Sequence, residues 1–503
     1  MSYVIGLDIG TTSTIGILIE LPSRQVALAS RPVTLYHPRP GWAEEDPQQW
    51  WDNVCALVPQ LLRDSGVAAS QVRAVGVAGM LPAVVLLDHQ QRLLRPSIQQ
   101  SDGRCAEQVQ QMRAQLDPEA FVQRTGNGIN QQLVACKMRW LRQHEPQVVE
   151  RVACVFGSYD YIAWRLTGQR HVEHNWALEA GFIDLATGRL SEELIELAGL
   201  DARQVPPLAR SHDIIGSVSV EAAAATGLPV GIPVIAGVAD HVASAFAAGV
   251  NGPGDMLIKL GGAGDVLMAT AQARPDARMF LDYHVVPGLF MPNGCMACSG
   301  SLLNWFASTF GAAADRPGQR SRHASLDLLA EQVAPGSDGV LALPYFLGEK
   351  TPVHDPLARG TFTGLSLNHG LGHVWRALLE SVAFGMRHHA EVFAEMGMPP
   401  TRLLASDGGS GSAVWLQIMA DVLQQPITRL QGHPGSCLGA AWVAAMGTGL
   451  ATDWAGVSAF ITQAEPVQPR ARFASTYDEC YARYRSLYQA LKPLFAAAAA
   501  PSD

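Results

Sequence analysis

The fold is decided by residues 5–12, which read IGLDIGTT and lie near the start of the chain. The apolar residues up to Ile9 indicate a buried strand, and the Gly-Thr-Thr that follows is typical of a tight turn. We predict strands over residues 3–9, 14–21 and 25–35, which open the chain as an antiparallel hairpin. Asp8 interrupts the apolar strand, where a carboxylate is costly unless a cation such as hydrated Mg²⁺ lies near it.

The turn at Gly10, Thr11 and Thr12 could bind phosphate, because it presents successive backbone N–H groups with hydroxyls beside them. An ordinary hairpin turn is the alternative reading of these three residues. The carboxylate of Asp8 next to a turn of phosphate size favours a metal–nucleotide site.

The chain has 503 residues, too many for one hydrophobic core, so two domains are expected. Strands and helices alternate up to about residue 248, which is typical of a mixed α/β domain. A run of turn-forming residues at 249–254 is the candidate boundary. Beyond it, residues 255–260, 261–264 and 265–270 predict a second strand–turn–strand hairpin. We therefore predict two domains, residues 1–249 and 250–503, related as distant structural duplicates.

Charge and hydropathy exclude several classes of protein. The net charge of −9 is spread along the chain, which argues against a nucleic-acid-binding face. The longest apolar region, residues 228–269, is interrupted by Pro233, Asp240 and Asp255, so it does not predict a membrane span. The first residues do not read as a signal peptide, and we expect a cytoplasmic protein with no nucleic-acid or membrane partner. A homodimer is the usual expectation for its assembly.

Two further segments are rich in glycine. Residues 261–264 read GGAG and offer backbone donors again, and residues 406–412 read SDGGSGS between a predicted strand and a helix that begins near Ala413. Glycines in such a turn allow a flat or phosphorylated ligand to approach the backbone, although a plain strand-to-helix turn is the alternative. The motifs GxxxxGK[ST] and GxGxxG are absent from the sequence.

Asp240 stands where the predicted strand 233–238 meets the predicted helix 242–248. In this position it is either a helix N-cap or an exposed base. The positive end of the helix dipole would keep the carboxylate ionised and able to accept a hydroxyl proton. Phosphoryl transfer requires little more than a metal–phosphate clamp, one base and an ordered alcohol.

Together these motifs resemble those of the FGGY carbohydrate kinases, in the same order and at similar separations. The resemblance rests on residues 5–12, 237–241, 260–262 and 407–409, and on segments 137–144, 360–365 and 373–380. Within the family, residues 42–51, 102–105, 343–345 and 348–352 are most similar to xylulokinases. The resemblance implies an α/β fold of two actin-like (ribonuclease H-like) lobes with a central cleft, and ATP with Mg²⁺ as phosphoryl donor. It also implies phosphorylation of a primary hydroxyl of a ketopentose, D-xylulose to D-xylulose 5-phosphate.

The resemblance also implies roles for individual residues. Asp240 would be the general base, and Asp8 the carboxylate on the magnesium side, acting through water. The residues that would bind ATP are Thr11, Thr12, Gly261, Gly262, Gly300, Leu303, Asn304, Gly408 and Gly409. Those that would contact the sugar are Met80, Asp102, Asp240 and His241.

The chain departs from the xylulokinase pattern at the positions that would choose the sugar. Leu81 and Pro82 stand where His-Gly is usual, Gln100 where Trp is usual, and His241 where Asn is usual. Ribulose, erythritol, glycerol and gluconate therefore stay open as substrates. A non-catalytic actin-like nucleotide switch is the alternative from another class, but no peptide-binding or basic DNA-binding module is visible in the sequence.

Overall fold

The computed structural model describes residues 2–315 and 321–498, and the chain forms two compact units. Unit 1 consists of Met1–Asn251, Ala271–Met291 and His433–Ile461, and unit 2 of Gly252–Thr270, Pro292–Gly432 and Thr462–Asp503. The first crossing, after Asn251, lies two residues from the predicted boundary. The chain then returns twice to unit 1, which a division at a single position does not describe.

The strands of the described chain vary from two to nine residues in length. In chain order they are β1 Tyr3–Ile9, β2 Ser13–Glu20, β3 Arg24–Pro32, β4 Glu44–Glu45, β5 Val72–Gly79, β6 Val85–Leu87, β7 Ser97–Ile98, β8 Cys154–Phe156, β9 Val172–Glu173, β10 Ile183–Asp184, β11 Arg189–Leu190, β12 Leu208–Ala209, β13 Ile214–Ser217, β14 Pro233–Ile235, β15 Val238–Ala239, β16 Asp255–Leu260, β17 Gly264–Met268, β18 Phe280–Tyr283, β19 Phe290–Met296, β20 Leu341–Leu343, β21 Thr361–Thr363, β22 Arg402–Ser406, β23 Ile427–Gln431 and β24 Thr462–Gln463.

The helices include two of 25 residues, α13 and α16 in the order that follows. They are α1 Pro47–Ser65, α2 Ala106–Gln115, α3 Pro118–Thr125, α4 Val134–His144, α5 Pro146–Val149, α6 Ser158–Thr167, α7 His174–Glu179, α8 Glu192–Leu197, α9 Val220–Thr226, α10 Asp240–Ala247, α11 Gly300–Phe310, α12 Arg322–Glu331, α13 Leu371–Glu395, α14 Ala413–Leu423, α15 Ser436–Gly447 and α16 Ala474–Ala498. Within the described ranges, none of these helices is long and apolar enough to cross a membrane.

The main sheet of unit 1 has the strand order β13-β14-β5-β1-β2-β3, and β15 also pairs with β5. Strands β1 and β2 form the antiparallel hairpin that the opening residues predict, and β5 runs parallel to β1. β3 ends at Pro32, three residues before the predicted end. The carboxyl ends of β1, β5 and β15 consequently lie at one edge of the sheet.

Helix α15 explains why residues 433–461 belong to unit 1. It packs against β1 and β5 at two glycines. A Cβ atom on Gly6 would overlap the carbonyl oxygen of Cys437, and one on Gly76 would overlap the carbonyl oxygen of Ala440. Glycine at these positions lets the helix backbone approach the sheet directly.

The sheet of unit 2 contains the run β19-β17-β16-β22-β23-β24. Strands β16 and β17 form an antiparallel hairpin, and β22 lies parallel to β16 on its other side. This confirms the predicted second hairpin. The pattern is that of unit 1, where β1 lies between its hairpin partner β2 and the parallel strand β5.

Candidate active site

Three strand ends bring the candidate residues of unit 1 to one edge of its sheet. Asp8 on β1 lies beside Ala78 of β5, and Ala239 on β15 lies beside Gly79 on the other side of β5. Neighbouring strands are about 4.8 Å apart, and β5 lies between β1 and β15. The backbones of Asp8 and Asp240 are therefore separated by roughly 10 Å. Ligands of open α/β sheets bind at the carboxyl ends of the strands, which is this edge.

The turn after β1 is held against the end of β5. The Gly10 N–H donates to the Ser13 carbonyl at 3.1 Å, which closes the turn, and the Met80 N–H donates to the Ile9 carbonyl at 3.1 Å. The Thr11 hydroxyl donates to the Met80 sulfur at 3.5 Å. Thr11 is half-buried and Thr12 is exposed. The turn and Met80 therefore form one surface at the edge of the sheet.

Asp8 is buried, and its Oδ2 accepts a hydrogen bond from the Ser436 hydroxyl at 2.5 Å. A single carboxylate is a suitable partner for Mg²⁺, which usually keeps several waters and binds one or two carboxylates together with substrate phosphates. Over residues 2–315 and 321–498, no group of three or more His, Cys, Asp or Glu side chains could hold a metal ion.

Asp240 is the first residue of α10, at the junction where the sequence predicts it. Its Oδ1 accepts the His241 N–H at 2.6 Å and lies 3.3 Å from His241 Nδ1. The carboxyl group is accessible, because 35% of the Asp240 side chain is exposed. This geometry places a carboxylate at a helix N-terminus with one oxygen already hydrogen-bonded.

His241 reaches a second carboxylate, Asp282 of β18, which the sequence analysis missed. His241 Nε2 lies 2.7 Å from Asp282 Oδ2. Burial by itself would lower the pKa of His241, but the charge of Asp282 and hydrogen bonds to Asp240 and Asp282 outweigh it and raise this pKa well above its usual value. His241 therefore lies between two carboxylates, and both contacts favour its protonated form.

Two more ionisable side chains, whose charges interact with each other, were missed as site residues. Lys137 of α4 is completely buried, its ammonium donates to the Gln99 carbonyl at 2.8 Å, and burial lowers its pKa to about 8. Glu179 ends α7; burial, helped by the charge of Asp282, raises its pKa to about 8. Perturbed pKa values of this kind concentrate at functional sites.

Asp102 lies in a closed environment. Its side chain and that of Arg104 have no exposed surface. Oδ1 accepts Arg104 Nε at 2.8 Å, and Oδ2 accepts Arg104 Nη2 at 2.7 Å and the Ala43 N–H at 2.6 Å. The guanidinium also lies 3.8 Å from the centre of the Trp42 ring. A sugar contact by Asp102 would require one of these bonds to break.

In unit 2, the turn between β16 and β17 is held through its carbonyl groups. The Gly261 carbonyl accepts the Gly300 N–H at 2.7 Å, and the Gly262 carbonyl accepts the Ser301 N–H at 3.0 Å. In a trans peptide the C=O and the following N–H point in opposite directions. The N–H groups of Gly262 and Ala263 therefore point away from α11, where they can bind an anion.

A cavity of about 540 Å³ in unit 2 lies beside this turn. It brings together all seven residues of this unit that were predicted to bind ATP: Gly261, Gly262, Gly300, Leu303, Asn304, Gly408 and Gly409. Trp375, Leu379 and Trp415 add apolar walls. A cavity with mainly apolar walls and a few polar groups is typical of a small-molecule site.

Asp327 of α12 is a polar residue of this cavity that the sequence analysis missed. Its Oδ1 accepts the Trp375 indole N–H at 2.8 Å, and its Oδ2 accepts the Ser412 hydroxyl at 2.7 Å. Ser412 is also the N-cap of α14. Asp327 thus fixes one aromatic wall of the cavity and the start of the helix that follows the glycine-rich turn.

Four of the glycines that line the cavity differ in their surroundings. A Cβ atom on Gly300 would lie 2.6 Å from the Gly261 carbonyl oxygen, and one on Gly409 would lie 2.8 Å from Leu260 Cβ. A Cβ atom on Gly262 or Gly408 would meet no atom within 4 Å. Packing explains glycine at the first two positions, whereas the last two leave open space at the cavity.

Turns that offer backbone N–H groups to phosphate, with a carboxylate at a helix N-terminus, are features of an enzyme that transfers phosphate from a nucleotide. Two models of known families match the chain: the N-terminal domain of the FGGY family of carbohydrate kinases over residues 3–247, and its C-terminal domain over residues 257–448. The chain therefore belongs to the FGGY family of carbohydrate kinases.

Individual relatives cover nearly the whole chain. The solved xylulose kinase from Rhodospirillum rubrum is 54% identical, with a TM-score of 0.94, and the match covers 98% of this chain and 100% of that one. The Escherichia coli (strain K12) xylulose kinase is 30% identical over 98% of this chain and 100% of its own length. The Bacillus subtilis (strain 168) xylulose kinase is 28% identical over 98% of both chains.

These matches confirm the predicted α/β fold of two actin-like domains. They also confirm the predicted class of enzyme and its phosphoryl donor: the protein is a carbohydrate kinase that uses ATP with Mg²⁺ and acts on a sugar. The roles of individual residues remain to be argued from the geometry.

Proposed function

We propose that this kinase phosphorylates a primary hydroxyl of a ketopentose, converting D-xylulose to D-xylulose 5-phosphate. The main support for this reaction is that Asp8, the Thr11 turn and Asp240 lie together at the carboxyl ends of β1 and β15. The choice of sugar is supported by the relatives above, which are named xylulose kinases and match over nearly their full length.

Asp240 is proposed as the general base. Both of its contacts with His241 fall on Oδ1, so Oδ2 would face the acceptor hydroxyl. As the sugar oxygen bonds to the γ-phosphorus of ATP, its proton passes to Asp240. The bond from that phosphorus to the β–γ bridging oxygen breaks, and its electron pair leaves with ADP.

We assign the binding of the sugar and the binding of adenosine to different domains. Residues 1–249 would supply the sugar contacts, the base and the phosphate turn with Thr11 and Thr12. Residues 250–503 would supply the cavity for adenosine and the second phosphate turn, at Gly261 and Gly262. Asp8 would hold Mg²⁺ through water. When bound with the nucleotide, Mg²⁺ neutralises charge on the phosphates.

Met80, Asp240 and His241 are proposed to contact the sugar. Asp102 contributes in the same region by holding Arg104 in place, since both of its oxygens are bonded. In place of the usual histidine and tryptophan, Leu81 and Gln100 change the hydrogen bonds available to the sugar. A primary hydroxyl on a ketopentose remains the acceptor that the relatives support.

The test is a substrate panel. Purified protein is mixed with Mg-ATP and, separately, D-xylulose, D-ribulose, erythritol, glycerol and gluconate, and ADP release is followed. We expect the highest kcat/KM with D-xylulose and a product phosphorylated at O5, which phosphorus–proton NMR correlation identifies. A higher kcat/KM with another panel member would overturn the choice of substrate.

The same substrate panel distinguishes a kinase from a non-catalytic nucleotide switch. A non-catalytic switch would bind Mg-ATP and release no sugar-dependent ADP with any panel member. Reactions without sugar are the matched control for slow ATP hydrolysis.

We also propose that the enzyme acts in the cytoplasm, as a homodimer and without a nucleic-acid partner. Light scattering after size-exclusion chromatography tests the dimer, and a mass equal to 53.8 kDa would contradict it.

A further inference from the structure

His241 has a carboxylate at each ring nitrogen. Nδ1 lies 3.3 Å from Asp240 Oδ1, and Nε2 lies 2.7 Å from Asp282 Oδ2. A neutral imidazole has one N–H and one lone pair, so one of the two contacts would place a lone pair against a carboxylate oxygen. Only the doubly protonated ring makes both contacts favourable.

Asp282 is held rigidly in position. Its side chain has no exposed surface. The residues on either side are each clamped by an asparagine amide: Asn127 bonds both the N–H and the carbonyl of Leu281, at 3.0 and 2.9 Å. Asn175 does the same to Tyr283, at 2.7 and 2.9 Å. These four bonds fix the backbone of β18, so Asp282 can hold the imidazole in one orientation.

The other ionisable groups in this part of unit 1 are two neutral side chains and one cation, Lys137. Glu179 of α7 holds its proton at neutral pH, because burial raises its pKa to about 8. Lys137 of α4 is buried, with its pKa lowered to about 8. Tyr159 of α6 stays neutral, because burial raises its pKa well above the usual value.

We propose that Asp282 is a positioning residue: it keeps His241 doubly protonated, and His241 in turn holds the Asp240 carboxyl with Oδ2 turned to the acceptor hydroxyl. This inference rests on the proposed role of Asp240 as base. The imidazolium carries no free lone pair, so it cannot relay the proton that Asp240 receives. That proton leaves to solvent from the Asp240 carboxyl, whose side chain is partly exposed.

The first experiment compares kcat and KM for the best panel substrate and for ATP. In Asp282→Asn the imidazole loses one of its two charged partners, and in His241→Asn the carboxylates of Asp240 and Asp282 face each other without a cation. A misplacement of about 1 Å at a reacting group can cost about 10²-fold in rate, so kcat should fall about 10- to 100-fold in each variant. The KM for ATP should not change.

The double variant His241→Asn/Asp282→Asn makes the test specific. If Asp282 acts through His241, its substitution adds no further loss once His241 is replaced, so kcat of the double variant should equal that of His241→Asn. Asp276→Asn is the matched control on the same segment, because Asp276 pairs with Arg278 at 2.8 Å near the surface. Its kcat should equal that of the wild type. A merely structural role for Asp282 would lower kcat of the double variant by the full additional factor seen in Asp282→Asn.

The second experiment does not depend on activity. In histidine-labelled wild-type protein, the NMR signals missing from His241→Asn identify His241. We expect both of its ring nitrogens to carry protons at neutral pH, and Asp282→Asn to lose one of them. A neutral His241 in the wild type, or additive losses of kcat in the double variant, would overturn the inference. If the protein phosphorylates no sugar, the proposed function fails while the NMR result still decides the protonation of His241.

Discussion

The nucleotide cavity of unit 2 can be tested at two adjacent glycines. A Cβ atom on Gly408 would meet no atom within 4 Å, whereas one on Gly409 would overlap the Trp415 ring and lie 2.8 Å from Leu260 Cβ. Neither glycine has a positive φ, so backbone conformation does not require glycine at either position. Gly408→Ala and Gly409→Ala are therefore a matched pair that adds the same methyl group in different surroundings.

The expected effects differ in kind. Overpacking costs about 1–3 kcal/mol. In Gly409→Ala this cost falls on the fold, and Tm should drop by roughly 2–12 °C, at about 2–4 °C per kcal/mol for a domain of this size. In Gly408→Ala the methyl group enters the space proposed for the nucleotide, so Kd for Mg-ADP should rise about 5- to 150-fold, at about 1.4 kcal/mol per tenfold. Its stability should change by less than about 1 kcal/mol.

Isothermal titration calorimetry with Mg-ADP and thermal unfolding of the ligand-free proteins measure both effects on one preparation. Wild-type affinity in Gly408→Ala would refute the placement of the nucleotide against the 408–409 turn. Equal losses of Tm in the two variants would refute the packing argument.

Two further predictions concern stability. Arg104→Ala leaves Asp102 buried without its cation and should lower the free energy of unfolding in urea by about 3–5 kcal/mol. Arg203→Ala breaks an exposed pair with Asp201 and should leave the free energy of unfolding nearly unchanged, and similar losses in the two variants would contradict the assigned burial. Burial raises the pKa of Glu349 from 4.5 to about 8. Between these pH values the folded chain keeps a proton that the unfolded chain loses. The free energy of unfolding should therefore fall by up to about 1.4 kcal/mol for each pH unit as the pH rises from 4.5 to about 8. Glu349→Gln should flatten this slope in urea titrations across the range, and parallel slopes would disprove the assignment.

The parts of the site that could be predicted from the sequence depend on local signals. The turn at Gly10 and the 261–264 turn each lie between two short apolar strands, and the structure shows a hairpin at both. The sequence predicts Asp240 at the junction of a strand and a helix, and the structure has it there as the first residue of α10. Each of these arguments needs only about ten neighbouring residues.

The residues that were missed depend on contacts between distant parts of the chain. Asp282 lies 41 positions after His241, in a segment that returns to unit 1, and its local sequence Phe-Leu-Asp-Tyr reads as an ordinary strand. Asp327 accepts a hydrogen bond from Ser412, which lies 85 positions further along the chain. No periodicity or turn signal links such pairs, because tertiary packing alone brings them together.

The surroundings of Asp102 could be predicted from the sequence only in part. The family resemblance implies that Asp102 contacts the sugar. In the structure, Asp102 bonds Arg104, only two residues further along the chain. That spacing allows a carboxylate to bond both the backbone N–H and the side chain of the arginine, and Asp102 Oδ1 does so at 3.0 and 2.8 Å. The local pairing was readable from the sequence, but its complete burial was not.

The central claim is that Asp240 is the base of an ATP-dependent sugar kinase. The most direct measurement is kcat of Asp240→Asn against wild type with D-xylulose and Mg-ATP, with Mg-ADP affinity measured on the same protein. We predict that kcat falls by about 10²- to 10⁴-fold, the usual contribution of a general base, while Mg-ADP affinity is kept. Near-wild-type turnover by Asp240→Asn would contradict the claim.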